Sequence, residues 1–331
     1  MTIIIISISI LFNIFFIINN NKIANLLRIY DEPDFNRKIH KSNVPLTGGI
    51  MIVLNILISS FLIFSKSSDI NFYSFFSNYF DFAVFIISTI IFFFIGFFDD
   101  KYKISATKKF LMMIFLLLII ILISDDLLIN KIKISFIETV YSLPIYLSIF
   151  WTLLCFLLFI NALNMFDGIN YQVSIYSIYL CLFFIINNYF SIFFIIILIS
   201  LIFFLFLNHK NKAFLGDSGS YLLGFIFGYF FVKFYNTSNY VFTDQIVLFM
   251  IIPGLDLMRL FIYRIYKGNA PFTPDKNHLH YILLEKNSLI TTNLKVFLLI
   301  VFPSIMGFYY GYTSIFLIIQ LIVYFFLVLR K

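Results

Sequence analysis

The chain has 331 residues, of which 62% are hydrophobic and 12% charged; its mean hydropathy is +1.00 and its formal net charge is +7. A soluble domain carries about 25% charged residues, so this chain has too few to cover a soluble surface and is expected to be an integral membrane protein. That excludes a nucleic-acid-binding reading of the positive charge, which is the kind membrane orientation leaves at helix ends.

The N-terminus has no Lys or Arg ahead of its apolar run, which argues for a retained first helix rather than a cleaved signal. Apolar runs long enough to span a bilayer as helices fall near 2–19, 48–65, 79–98, 107–124, 143–163, 171–186, 190–207, 218–235, 245–264, 294–310 and 313–329. The expected fold is therefore an all-α integral membrane protein of about eleven transmembrane helices, forming one polytopic domain over 1–331. Numbering the loops by alternation puts 19 of the 23 basic residues on one side and leaves Lys66, Lys131, Lys133 and Lys233 on the other. The positive-inside rule then sets the N-terminus outside and the C-terminus in the cytoplasm. Cys155 and Cys181 lie in apolar runs, where thiols are inert, so neither a disulfide nor a metal cluster is expected.

The polar residues gather in the inner loops. Residues 30–49, YDEPDFNRKIHKSNVPLTGG, join Arg37, Lys38 and Lys41 to a Gly48-Gly49 turn. The glycines would let the backbone approach a ligand closely, although a basic membrane anchor ending in a tight turn explains the same residues. Asp99 and Asp100 end a long apolar run. Two adjacent carboxylates repel unless a cation or donor compensates them, which suits Mg²⁺ bridging carboxylates to phosphates; pairing with Lys101 and Lys103 would also serve. In NALNMFDGIN, Asn161, Asn164 and Asp167 are three apart and share one face of a helix end. Asp217 stands between glycine and serine in FLGDSGS, either as a helix N-cap or at an ion-plus-phosphate site. The loop RIYKGNAPFTPDKNHLH offers Arg264, Asp275, His278 and His280. An H-x-H without cysteine is weak as a zinc site, and donors to a pyrophosphate are at least as plausible. Asp256 and Arg259, three apart in one helix, suit a simple ion pair as well as a functional role.

Taken together these residues resemble the polyprenyl-phosphate N-acetylhexosamine-1-phosphate transferases of bacterial envelope synthesis (the WecA and MraY group). The resemblance covers essentially the whole chain, with DEPDFNRKIHKSNVPLTGG, GFFDDKYKIS, NALNMFDG, FLGDSGS and PFTPDKNHLH in family order. Each motif is short; the combination is specific. The Pro-Phe-x-Pro-Asp lead into the histidines looks like the branch that starts O-antigen and related glycans, whereas the muramoyl-pentapeptide branch carries a triple-His run.

The resemblance implies transfer of a sugar 1-phosphate from a UDP-N-acetylhexosamine to a polyprenyl (undecaprenyl) phosphate in the bilayer, with release of UMP. It implies Mg²⁺, with Mn²⁺ as a substitute, and an active site on the cytoplasmic face of the cell (inner) membrane; a homodimer is left open. Asp99, Asp100, Arg264, His278 and His280 match catalytic positions. Asp217, with Asp99 and Asp100, matches the metal site. His40, Asn164, Asp167, Asn208 and Phe214 match the substrate side, the Phe stacking on uracil. Two departures stand out: Asn170-Tyr171 replace a second Asp-Gly, and Tyr281 follows His280 where a further His is common. The main rival from another class, a secondary transporter, would place ionisable residues at mid-helix, whereas here the acids sit at inner helix ends.

Overall fold

The computed structural model describes residues 2–33, 42–64, 75–76, 78–271 and 275–329. Each of the eleven expected apolar runs is a helix: α1 (Thr2–Leu27), α2 (Gly48–Phe64), α3 (Tyr79–Tyr102), α4 (Ala106–Ile123), α5 (Ile145–Phe166), α6 (Gln172–Ile186), α7 (Ser191–His209), α8 (Gly216–Thr237), α9 (Thr243–Tyr266), α11 (Leu289–Tyr310) and α12 (Thr313–Leu329). A short further helix, α10 (Leu279–Leu284), precedes α11. Among the described residues, α1, α3, α4, α5, α7, α9 and α11 are the seven long and apolar enough to cross a membrane, and α2, α6 and α12 are shorter apolar helices. The chain is a multi-pass membrane protein. α8 is different in kind: it carries Asp217, Lys233 and four glycines, and every residue from 218 to 235 is buried.

The helical class holds, with two small antiparallel hairpins added to it. β1 (Tyr30–Asp31) pairs with β2 (Val44–Pro45), and β3 (Lys131–Ile134) with β4 (Ile137–Ser142). The second follows from a period-two alternation, Lys-Ile-Lys-Ile, that suits a strand with one face covered. Tyr235 anchors it, its hydroxyl donating to the Lys131 carbonyl at 2.8 Å. The Lys133 ammonium donates to the Ser238 carbonyl at 2.9 Å, just beyond the C-terminus of α8, where a cation complements the helix dipole. Lys233 lies 3.4 Å from Asp126. Lys133 and Lys233, both outside the inner loops, thus have local partners.

The chain forms two compact units, each discontinuous in sequence. The first comprises Met1–Met112 and Asn170–Ile226, the second Met113–Ile169 and Phe227–Lys331. In the first, α7 packs against α1, α2 and α6. Lipid tails are as apolar as the side chains, so close packing and interhelical hydrogen bonds hold such helices together. Stacked rings supply the packing, as between Phe92 and Phe225 (4.6 Å) and Phe184 and Phe194 (4.5 Å). Buried Asn55 supplies the polar link, donating to Ser9 of α1 and Ser200 of α7. In the second unit, α9 packs against α5, α11 and α12, and α10 against α11 and α12. Cys155 and Cys181 are free thiols, as expected.

Candidate active site

Four helix ends of the first unit converge on the N-terminus of α8. α3 ends in a left-handed residue, Lys103 (φ 52°), whose N–H returns to the Asp99 carbonyl at 2.8 Å. This tight reversal starts α4 three residues later and brings Lys109, one turn into α4, back onto Asp99. The Lys109 ammonium donates to the Asp99 carboxylate and stands 3.4 Å from Oδ2 of Asp217. One cation therefore serves two carboxylates from different helices. Asp99 is buried, with 8% of its side chain exposed, whereas Asp217 keeps 32%, so Asp217 is the carboxylate presented outward. The buried ring of Tyr221 lies 5.9 Å from the ammonium.

Asp100 has a different role. Its Oδ1 accepts the N–H of Asp217 at 2.8 Å and its Oδ2 the N–H of Ser218 at 3.0 Å. The first N–H groups of a helix have no partner within it, and here a carboxylate from α3 supplies one and complements the positive end of the dipole. Main-chain contact makes this possible. A Cβ at Gly96 would meet the Asp217 carbonyl oxygen at 2.3 Å, and one at Gly49 would meet the Gly219 nitrogen at 2.5 Å. Gly216 adopts φ +76° with the Asp100 carboxylate directly beside it.

The Pro-Leu-Thr-Gly-Gly turn docks on the same segment. Phe214 N–H donates to the Pro45 carbonyl (2.8 Å), Gly48 N–H to the Phe214 carbonyl (3.0 Å) and Gly49 N–H to the Leu215 carbonyl (3.1 Å). The close approach these glycines allow is therefore to the chain itself. Phe214 is held through its backbone and remains half-buried. Asn20 of α1 completes the corner, accepting from Thr47 Oγ1 at 2.6 Å and donating to the Lys212 carbonyl at 2.9 Å. Asn208 brackets the nearby turn: its Oδ1 accepts the Tyr171 N–H (2.8 Å) and its amide donates to the Ala213 carbonyl (3.1 Å). His40, Arg37, Lys38 and Lys41 lie outside the described residues.

A second polar cluster belongs to the second unit. Asp256 is its hub, and it does more than pair with Arg259 (2.8 Å). It also accepts from the Tyr324 hydroxyl (2.9 Å), from the N–H of Leu279 at the start of α10 (3.1 Å) and from His278 Nδ1 (2.9 Å). An ionised carboxylate only accepts, so His278 donates to it through Nδ1. Arg264 is buried; its Nε meets Asp275 at 2.8 Å and its Nη1 the Pro271 carbonyl at 2.8 Å. Burial raises the Asp275 pKa, but the hydrogen bonds from Arg264 and from the Asn277 N–H outweigh it and hold the group below its ordinary range. His280 is buried against Gly168, stacked on His278 at 5.2 Å. Burial first, then repulsion from His278, takes its pKa down to about 3, so it is neutral. Asn164 and Asp167 end α5 half-buried, the Asp167 N–H donating to the Asn164 carbonyl at 3.2 Å, while Asn161 turns back to the Leu157 carbonyl.

Among the described residues no group of three or more His, Cys, Asp or Glu converges on a point. What converges is a carboxylate pair already sharing one cation. Two hard oxygen donors of this kind fit Mg²⁺, which is commonly held by one or two carboxylates together with substrate phosphates. Asp99 and Asp217 are the residues suited to it; both Asp100 oxygens are engaged at the helix end. Sequence reasoning missed Lys109 as a site residue and Asp256 as an anchor. Lys109 was one basic residue among many in its loop, and the three-residue spacing of Asp256 and Arg259 carried no sign of α10.

Comparison with known proteins gives a consistent picture. Residues 82–235 match the family model described as glycosyl transferase family 4. The chain is 25% identical over 294 residues to the undecaprenyl-phosphate alpha-N-acetylglucosaminyl 1-phosphate transferase of Salmonella typhi, covering 83% of this chain and 74% of that protein. It is 25% identical over 292 residues, with the same coverage, to the protein of that name from Escherichia coli K12. The Haemophilus influenzae protein of that name is 32% identical over 96 residues, 29% of this chain and 26% of that one. The resemblance read from the five motifs is thus borne out.

Proposed function

We propose, from its likeness to glycosyl transferase family 4, that this chain moves an N-acetylhexosamine 1-phosphate from a UDP-sugar onto a membrane polyprenyl phosphate, releasing UMP and initiating an envelope glycan. The observation that carries this reading is the convergence of Asp99 and Asp217, from different helices, on the single ammonium of Lys109. Such a pair suits a reaction between two phosphates, in which negative charge must be gathered and screened.

In this reading the helices of all eleven apolar runs, the shorter α2, α6 and α12 included, span the membrane, with the N-terminus outside and the C-terminus and the site at the cytoplasmic face of the inner membrane. The 19 to 4 division of basic residues supports that orientation. Asp217, the more exposed carboxylate, and Asp99 behind it hold Mg²⁺. Bound there, the ion screens charge on phosphate oxygens. Lys109 holds the two carboxylates together and presents a positive charge to the substrate phosphates. Asp100 fixes the helix end that carries Asp217. The acceptor phosphate has a second pKa of about 6 and is already largely ionised at cytoplasmic pH, so Asp99 serves as a ligand rather than as a base. Asn164 and Asp167 face the nucleotide sugar, and the half-buried Phe214 ring stacks on uracil. His278 is held in place by Asp256, while neutral, buried His280 supports the adjoining turn.

The test is direct. Purified protein is supplied with Mg²⁺, polyprenyl phosphate and a panel of UDP-N-acetylhexosamines, and UMP release is followed. The expected result is Mg²⁺-dependent release with at least one sugar; no release with any of them would defeat the reading.

A further inference from the structure

Two residues of α10 grip the backbone that follows the polar end of α5. The Tyr281 hydroxyl donates to the Gly168 carbonyl at 3.1 Å. From the other side the His280 ring lies so close to Gly168 that a Cβ there would stand 2.0 Å from Nε2. The two rings support each other, their centroids 4.5 Å apart. Among the described residues neither nitrogen of His280 has a hydrogen-bond partner, so the ring serves as a wall. The grip is itself anchored: Asp256 holds the first turn of α10 through the Leu279 N–H and His278, and is held in turn by Arg259 and Tyr324. Position is thus passed from α9 and α12, through α10, to Gly168, the residue after Asp167.

We propose that Tyr281 is a positioning residue for the nucleotide sugar, setting the place of Asn164 and Asp167 through its hydrogen bond to Gly168. This rests on the reading that Asn164 and Asp167 face the UDP-sugar. Tyrosine suits the task because its ring packs against His280 while its hydroxyl reaches past it to the carbonyl. Removing the hydroxyl alone leaves the packing and frees the turn. Such a change weakens ground-state and transition-state binding alike, which shows as a raised KM with kcat unchanged.

Steady-state UMP release is measured at saturating polyprenyl phosphate while the UDP-sugar is varied. Tyr281→Phe is expected to raise KM for the UDP-sugar about 3- to 10-fold, the worth of one neutral hydrogen bond, with kcat within about twofold. An unchanged KM in the Phe variant overturns the proposal, and so does a fall in kcat at constant KM. Amide hydrogen exchange across residues 164–169 of the unliganded protein supplies a readout independent of activity: it is faster in Tyr281→Phe than in wild type. Equal exchange overturns the clamp. Absence of UMP release from wild type, by contrast, defeats the functional reading on which the proposal rests.

Discussion

Asp100 caps the helix that carries Asp217, its two carboxylate oxygens accepting the N–H groups of Asp217 and Ser218 at 2.8 and 3.0 Å. Adjacent aspartates on one helix therefore divide their work. Asp99 faces the shared ammonium, and Asp100 faces the backbone.

This division predicts opposite signatures for two substitutions. Asp100→Ala removes a charged cap from a buried helix end, costing about 1–2 kcal/mol, and the melting temperature of the purified protein falls. Asp217→Asn leaves those N–H groups capped; its melting temperature stays within about 2 °C of wild type while UMP release is abolished. Equal melting curves for Asp100→Ala and wild type would remove the capping role.

Lys109 is predicted to be as sensitive as the acids. Lys109→Met leaves two carboxylates near one another without their common cation, and turnover falls by about 100-fold or more. Lys109→Arg keeps the charge but not the compact ammonium, and retains part of the activity. Initial rates at saturating Mg²⁺ decide this; a Met variant within about tenfold of wild type would refute it.

Glycine substitutions separate crowded from open positions. Gly96→Ala sets a methyl 2.3 Å from a carbonyl oxygen of α8, a clash that only backbone movement relieves, at about 1–3 kcal/mol. Gly254 in α9 faces open space, with nothing within 4 Å of where a Cβ would stand, so Gly254→Ala stabilises by about 0.5–1 kcal/mol through helix propensity. Thermal unfolding in detergent compares them, and the same sign for both would contradict the packing.

His280 gives a pH dependence of known sign. Its folded-state pKa is down at about 3, against about 6.5 in an unfolded chain. Between those values the unfolded state binds the extra proton. The stability His280 contributes is present above about pH 6.5 and is lost as pH falls toward 3, by up to about 1.4 kcal/mol per pH unit. His280→Gln flattens that part of the melting-temperature profile between about pH 7.5 and 5; parallel profiles would refute the assignment.

Much of the helical plan was legible because apolar runs of sufficient length have few alternatives in lipid. Even so, α1 runs on to Leu27, past the end expected at residue 19, because its polar Asn20 is buried and bonded. The β3–β4 hairpin shows its alternation over too short a run to separate a strand from a loop. In the site, Asp217 and the Asp99-Asp100 pair stood out as charges in a chain that avoids them. Their partners did not. Lys109 reaches Asp99 only through the left-handed turn at Lys103, and Asp256 meets His278 across 22 residues. Such contacts arise from chain reversal, which residue spacing does not encode.

Five of the twelve glycines, Gly48, Gly49, Gly96, Gly216 and Gly219, crowd the joint at the start of α8: Gly49 and Gly96 lie against main chain, Gly48 against the Phe204 ring, Gly219 against the Leu215 side chain and Gly216 against the Asp100 carboxylate. So close a joint has no slack: a methyl group added at Gly48, Gly49, Gly96 or Gly219 would push main chain or an apolar side chain aside. The N-terminus of α8, and Asp217 with it, therefore moves only together with α2 and α3, and the position of the carboxylate is set by that contact.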